Sequence, residues 1–306
     1  DKVPGTVINY IESPAGLFGL EFFPVYVCDP SIVVLENGDY IASHARFGSG
    51  SGSKECGLTS VFRSRDKGNS WQETARLSGI LRASLFVHRG DLYLLGTEFE
   101  RGPNVIRKSN DGGETWTKPE GPQSGMLGSG GLGTPNNPIE FEGRIWSAIN
   151  RGVYSAEADA NLLKADAWTR CSRRVIKEQP FGNAWQNRWG EAQIVASAEH
   201  GIYVLPMIRG LQHTALLKVV GPRKIDFRGT DKDAFAIMPG ADKKFGVGYD
   251  EKSDTFYALT NPILAVHAGR TKPEMIRTAA AVLTSRDLIH WDVRKIFLFT
   301  HNIDNG

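Results

Sequence analysis

The sequence predicts an all-β fold, a six-bladed β-propeller of four-stranded blades whose last blade is truncated. Two observations carry this. The first is a repeated turn: Ser64 to Trp71 (SRDKGNSW) and Ser109 to Trp116 (SNDGGETW) both fit S-x-D-x-G-x-x-W, and Ser285 to Trp291 (SRDLIHW) fits it minus one residue. Such an Asp-box is a tight hairpin in which the Asp accepts bonds from the turn's own backbone, Gly supplies a positive φ, and Trp packs between neighbouring sheets. Ser64, Asp66, Gly68, Trp71, Ser109, Asp111, Gly113, Trp116, Ser285, Asp287 and Trp291 are therefore read as structural.

The second observation is a hairpin marker, an apolar strand, a Gly-containing turn and an aromatic-rich strand. It appears around Gly38, Gly90, Gly143 and Gly201, and in variant form around Asp254. By subtraction of these positions the turns lie 52, 53, 58 and 53 residues apart, the spacing of a four-stranded blade.

Each blade follows in order. Blade one, 29–78, takes strands SIVVL, DYIASHA and TSVFRS, the first Asp-box and strand SWQETARL. Blade two, 81–122, repeats this with the second box. Blade three, 135–174, replaces the box by the excursion SAEADANLLKADAW, with Trp168 in the packing role. Blade four, 191–235, has no box, and blade five, 244–299, has the shortened one. Residues 5–11 (GTVINYI) alternate like an outer strand and are expected to close an incomplete sixth blade, because a propeller that does not close leaves open sheet edges. The chain thus reads as a single propeller domain cut from a longer protein.

Composition sets the outer limits. A chain of 306 residues with 41% hydrophobic residues can bury a large core, and 34 Gly and 15 Pro among short alternating runs favour strands over helices. The formal charge of +2 argues against a nucleic-acid partner. No run of 18 apolar residues predicts a membrane span, and no secretory leader is visible at Asp1. Cys28, Cys56 and Cys171 match no metal spacing, and no metal or other cofactor is implied. They read as buried thiols, with a Cys28–Cys56 pair as the alternative.

Blade topology sends the Asp-boxes to one face and the loops around each inner strand to the other, where propeller ligands bind. The loops entering inner strands contribute Cys28, Asp29, Arg82, Asn136, Asn137, Arg188, Trp189, Glu191, Lys243 and Lys244. Those leaving second strands contribute His44, Arg46, Glu98, Arg209, His213 and His267. This is a basic and aromatic rim, suited to a carboxylate or sulfate held by an Arg fork and to a sugar ring against Trp.

The boxes, the blade repeat, Glu191 opening an inner strand (GEAQIV) and Arg209 closing the next (YVLPMIR) together resemble the sialidase superfamily of six-bladed propellers. The resemblance implies that Glu191 assists a Tyr nucleophile and that Arg209 clamps a substrate carboxylate. Where sialidases carry Arg-Ile-Pro before the first inner strand, this chain has Val27, Cys28, Asp29 and Pro30. The nucleophilic Tyr would fall in the missing blade. The first blade, DPSIVVLENGDYIASHARFG, is more similar to sialidase-like propellers of polysaccharide-degrading bacteria. Some of these act on rhamnosyl-glucuronate linkages as hydrolases or lyases through a His that matches His44.

The expected activity is cleavage of a glycosidic linkage in an acidic oligo- or polysaccharide, uronate- or sulfate-containing, by hydrolysis or β-elimination. His44 and Glu191 are the expected catalytic residues, and Arg46, Arg82, Asn136, Arg188, Trp189, Arg209 and His213 the substrate-binding ones. Exo-α-sialidase activity and a non-catalytic glycan- or protein-binding propeller are the alternatives. The resemblance implies a secreted or periplasmic protein. The sequence specifies no oligomeric state.

Overall fold

Five antiparallel sheets follow one another along the chain, each a run of strands joined by hairpins. The computed structural model describes residues 5–10, 25–48, 57–128, 136–149, 152–171, 189–227 and 232–301. Blade one is β1 (Val25–Val34), β2 (Tyr40–Gly48), β3 (Leu58–Ser64) and β4 (Gln72–Ser78). Blade two is β5 (Leu81–His88), β6 (Asp91–Thr97), β7 (Asn104–Ser109) and β8 (Met126–Gly128). Blade three is β9 (Ile139–Phe141), β10 (Arg144–Ile149), β11 (Gly152–Glu157) and β12 (Trp168–Cys171). Blade five is β19 (Gly246–Asp250), β20 (Thr255–Thr260), β21 (Ala279–Ser285) and β22 (Asp292–Phe299).

Blade four is more elaborate. Its main sheet is β13 (Trp189–Ser197), β14 (Gly201–Ile208), β16 (Leu217–Gly221) and β17 (Lys224–Asp226). Two short strands, β15 (His213–Ala215) and β18 (Phe235–Ile237), pair with each other, and β15 also meets β14 at Met207. Helical structure among the described residues is confined to single 3-10 turns.

The described residues thus form five blades, not the six expected from the sequence. Residues 6–10 are irregular rather than part of a closing strand. In a half-covered strand inward and outward residues alternate, whereas here Ile8 and Asn9 are adjacent and both half-buried, between exposed Val7 and Tyr10. The outer strand of blade two also comes later than expected, at Met126–Gly128, after a turn through Gly121 and Ser124.

Burial of apolar faces between blades holds the ring. Blades one and two meet through Ile41, Val61, Leu85 and Leu94, and blades two and three through Phe86, Tyr93, Ile145 and Tyr154. Trp146 and Val153 meet Ile194 and Val204 between blades three and four, and Val195 and Leu205 meet Phe256 and Leu283 between four and five. No such cluster joins blade five to blade one among the described residues. Val27, Ile32 and Val34 of blade one and Tyr257 and Leu259 of blade five are left exposed.

The three S-x-D segments adopt the same hydrogen-bonded turn. Ser64 Oγ donates to Asp66 Oδ1 at 2.7 Å and accepts from Gly68 N at 2.8 Å, while Ser70 N donates to Asp66 Oδ1 at 2.8 Å. Ser109, Asp111, Gly113 and Thr115 repeat this arrangement. Trp71, Trp116 and Trp291 each close the turn by an indole bond to the carbonyl three residues back. In the shortened turn Leu288, at φ 66°, takes the positive-φ position that Gly68 and Gly113 fill in the others. Trp168 of blade three packs against the Phe86 cluster and donates to Leu162 O at 2.9 Å.

Candidate active site at the channel mouth

Three inner strands carry the same irregularity at the same end. Register shifts fall between Cys28 and Ser31 in β1, Leu81 and Ser84 in β5, and Trp189 and Ala192 in β13. In each, two residues oppose one on the second strand, a β-bulge of the kind that re-aims side chains beside functional sites. Asp29 and Pro30 oppose His44, Arg82 and Ala83 oppose Gly96, and Gly190 and Glu191 oppose Met207. Asp29 and Arg82 take φ of 53° and 50°, a left-handed backbone that non-glycine residues rarely adopt.

The bulges project a polar set toward the channel. Arg82 donates to Glu191 Oε1 at 2.7 Å across the ring from blade two to blade four, and its other terminal nitrogen stands 3.7 Å from Glu100. Lys244, just before β19, reaches Asp29 Oδ1 at 2.5 Å and Glu191 Oε1 at 3.3 Å. Asn136, at the matching place in blade three, locks its amide onto the Ala148 backbone. Asp29, Arg82, Asn136, Glu191 and Lys244 therefore form a ring of one residue per blade. The S-x-D turns lie at the opposite end, since Ser64 pairs with Tyr40 at the far end of β2.

Beside the ring, a cavity of about 560 Å³ opens between blade one and blade five. Its apolar walls include Val27, Ile32, Phe62 and Leu259, and its polar groups are Asn9, Ser31, Ser43, His44, Asn136, Asn137 and Gln193. Cys28 also lines it. Burial, then the Asp29 carboxylate, push the Cys28 thiol up to about 12, so it stays protonated. Cys28 and Cys171 are free thiols, and Cys56 lies outside the described residues.

His44 is the titratable group of this cavity suited to proton transfer near neutral pH. Its ring stacks on Phe62 at 5.3 Å, Nδ1 stands 3.3 Å from Ala45 O, and Nε2 stands 2.8 Å from the Asn9 amide nitrogen. Burial lowers its pKa, the Ala45 carbonyl opposes this, and Arg46 lowers it further. The imidazole is therefore neutral near pH 7.

The other expected residues are dispersed. Arg46 lies two positions beyond His44 on the same face of β2 but does not line the cavity, and its buried Nε has no hydrogen-bond partner among the described residues. Arg209 is exposed just past β14, and His213 is half-buried in β15, its pKa lowered by burial. Both sit at the channel end of blade four, but neither lines the cavity. Arg188 lies outside the described residues, and Trp189 is described in its backbone alone. His267 is fully buried, held between Thr278 Oγ1 and the His301 carbonyl. Asn9, Asp29 and Lys244 stand at this mouth without having been among the expected catalytic or substrate-binding residues, although Asp29 and Lys244 were placed on its rim. For the last two a signal existed, since Asp29, Arg82, Asn136, Glu191 and Lys244 recur at the blade spacing of roughly 54 residues. Among the described residues no three His, Cys, Asp or Glu side chains stand together as metal ligands.

These features define a β-propeller with a polar channel mouth, and solved structures share that fold. The chain matches a protein of unknown function from Dyadobacter fermentans at 12% identity and TM-score 0.57, over 90% of this chain and 83% of that one. It matches a Hadza microbial sialidase at 12% identity and TM-score 0.56, over 87% of this chain but 57% of the sialidase. The α-L-arabinofuranosidase of Fusarium graminearum, solved with an iminosugar inhibitor, matches at 12% identity and TM-score 0.52, over 87% of this chain and 80% of that one. At such identities the likeness is one of fold. No family model matches the chain, and no curated protein matches it.

Proposed function

We propose that this chain is a carbohydrate-active enzyme that cleaves a glycosidic linkage in an acidic glycan, with the cavity beside His44 as its active site. The observation that carries this reading is His44 itself, a neutral imidazole where the equivalent bulges of blades two and four place Gly96 and Met207. The amides and hydroxyls around it suit sugar hydroxyls, and the apolar walls suit a ring face. Sialidase and glycoside hydrolase relatives in fold support a carbohydrate substrate.

Between β-elimination and hydrolysis, the groups present favour elimination from a uronate. Arg46 would neutralise the carboxylate, and His44 Nε2 would take the acidified C5 proton. The C5–H electron pair becomes the C4–C5 double bond, the C4–O bond breaks, and the leaving oxygen takes a proton from water. Resemblance of the first blade to rhamnosyl-glucuronate enzymes supports the same substrate class, with Arg209 and His213 as an outer anion-binding rim.

Hydrolysis through carboxylates has one observation in its favour. Lys244 contacts Asp29 Oδ1 at 2.5 Å and Glu191 Oε1 at 3.3 Å, so the two oxygens are no more than about 5.8 Å apart, a range that includes the separation of retaining glycosidases. Both carboxylates, however, already hold cationic partners, Asp29 with Lys244 and Glu191 with Arg82 and Lys244. The deciding experiment incubates the protein with uronate polysaccharides, sulfated glycans and sialosides. Ultraviolet absorbance of an unsaturated uronate, lost in His44→Ala, supports elimination. Saturated reducing ends lost in Glu191→Gln but not in His44→Ala support hydrolysis, free sialic acid marks a sialidase, and binding without product marks a lectin-like module.

A further inference from the structure

The donor and acceptor chemistry around His44 fixes where its proton sits. An Asn amide nitrogen can only donate, so Nε2, 2.8 Å from Asn9 Nδ2, must present a lone pair. A backbone carbonyl can only accept, so Nδ1, 3.3 Å from Ala45 O, must carry the hydrogen. These two contacts therefore select one neutral tautomer. Its basic nitrogen is turned to the side from which Asn9 and the cavity approach, and Phe62 stacking fixes the ring plane.

Asn9 is well placed for this role. It comes from the irregular segment 5–10, outside β2, and Ile8 beside it lines the same cavity. Exposed Val7 and Tyr10 flank the pair, so only Ile8 and Asn9 of this stretch turn toward blade one.

We propose that Asn9 is a positioning residue that sets the tautomer of His44, holding Nε2 as the hydrogen-bond acceptor at the site where a substrate proton is taken. The Asn9 N–H then marks the place a substrate C–H or O–H occupies, and substrate displaces the amide as it binds. This inference deepens the proposed function and rests on it for its catalytic meaning, but not for the tautomer.

The other groups facing His44 are known. Arg46 on its own strand disfavours the imidazolium, Glu73 on β4 favours it, and the protonated thiol of Cys28 lines the same cavity. None of them donates to Nε2.

The test is nitrogen-15 NMR of the histidine side chains in the intact chain, with His44 assigned by its loss in His44→Gln. In the wild type above pH 8, Nδ1 should resonate as a protonated nitrogen and Nε2 as an unprotonated one. Asn9→Ala should give a mixture of tautomers. Asn9→Asp should raise the His44 pKa by about one unit or more, because a carboxylate beside Nε2 favours the cation. A wild-type His44 protonated on Nε2, or a tautomer unchanged in Asn9→Ala, overturns the proposal, and the wild-type spectrum decides this even where a variant fails to fold. An Asn9-dependent tautomer in a protein that cleaves no glycan supports the assignment and overturns only the function it was meant to serve.

Discussion

Single side chains at equivalent blade positions show how one repeat is given local chemistry. The residue facing the inner-strand bulge is Gly96 in blade two, where an added Cβ would meet Ala83 Cβ at 2.7 Å, and Met207 in blade four. In blade one it is His44. If His44 moves the proton, His44→Ala should lower kcat by about 10² to 10⁴ with little change in KM; unchanged kcat would remove it from the mechanism. Leu288 is a second informative residue, since it holds φ 66° while remaining buried. Leu288→Gly frees the backbone but deletes a core side chain, and packing should win, with a net loss of about 1–3 kcal/mol by chemical denaturation. The turn residues Ser64, Asp66, Ser109 and Asp111 were legible in the sequence because their partners lie within a few positions. Asp29 and Lys244 could be placed on the rim from the blade repeat, but their contact could not be read, because it spans 215 residues.

The strands and turns were legible to different depths. Hairpins with a Gly turn and apolar flanks appear close to where the sequence puts them, since alternation and turn chemistry are local. Outer strands were harder to read: β8 has three residues, and its place is set by bonds such as Gly125 N to Leu163 O in blade three, not by its own pattern. Segment 5–10 was misread for the same reason, Asn9 being held by His44. The S-x-D turns tie elements together, as Thr74 Oγ1 of β4 donates to Gly113 O at 3.0 Å. Buried Ser109 anchors that turn, so Ser109→Ala should cost about 1–2 kcal/mol while leaving turnover per folded molecule unchanged.

The same turns set an acid limit. Hydrogen bonds from Ser70, chiefly its hydroxyl, hold Asp66 down to about 2. At Asp111 and Asp287 burial works the other way, but donors from Thr115 and His290 outweigh it and hold both at about 2, against an ordinary 3.8. Depressed carboxyls stabilise the fold fully above the ordinary value and lose that contribution as pH falls toward the folded one. Melting temperature should therefore drop between about pH 4 and pH 2, less steeply in a variant with all three Asp replaced by Asn.

At the scale of the whole molecule, apolar burial seals four junctions among the described residues, whereas the seam between blades five and one is bridged by Lys244 and Asp29 beside the cavity. Asp29 is almost fully buried, so Lys244→Met strands its charge and should cost about 2–3 kcal/mol, lowering Tm by several degrees. Lys244→Met with Asp29→Asn should cost less than the two single changes combined, which a double-mutant cycle would register.

That seam makes the molecule mechanically a split ring. Among the described residues four joints are stiff because widening them exposes oil to water, whereas no apolar cluster closes the fifth, so a small spread there is resisted chiefly by the Lys244–Asp29 pair. Compliance is thus concentrated at the edge that carries His44, and a guest wedged beside it would act as a shim. It would stiffen the ring, which hydrogen exchange would register as slower exchange at β1 and β19 together and no change in blade three.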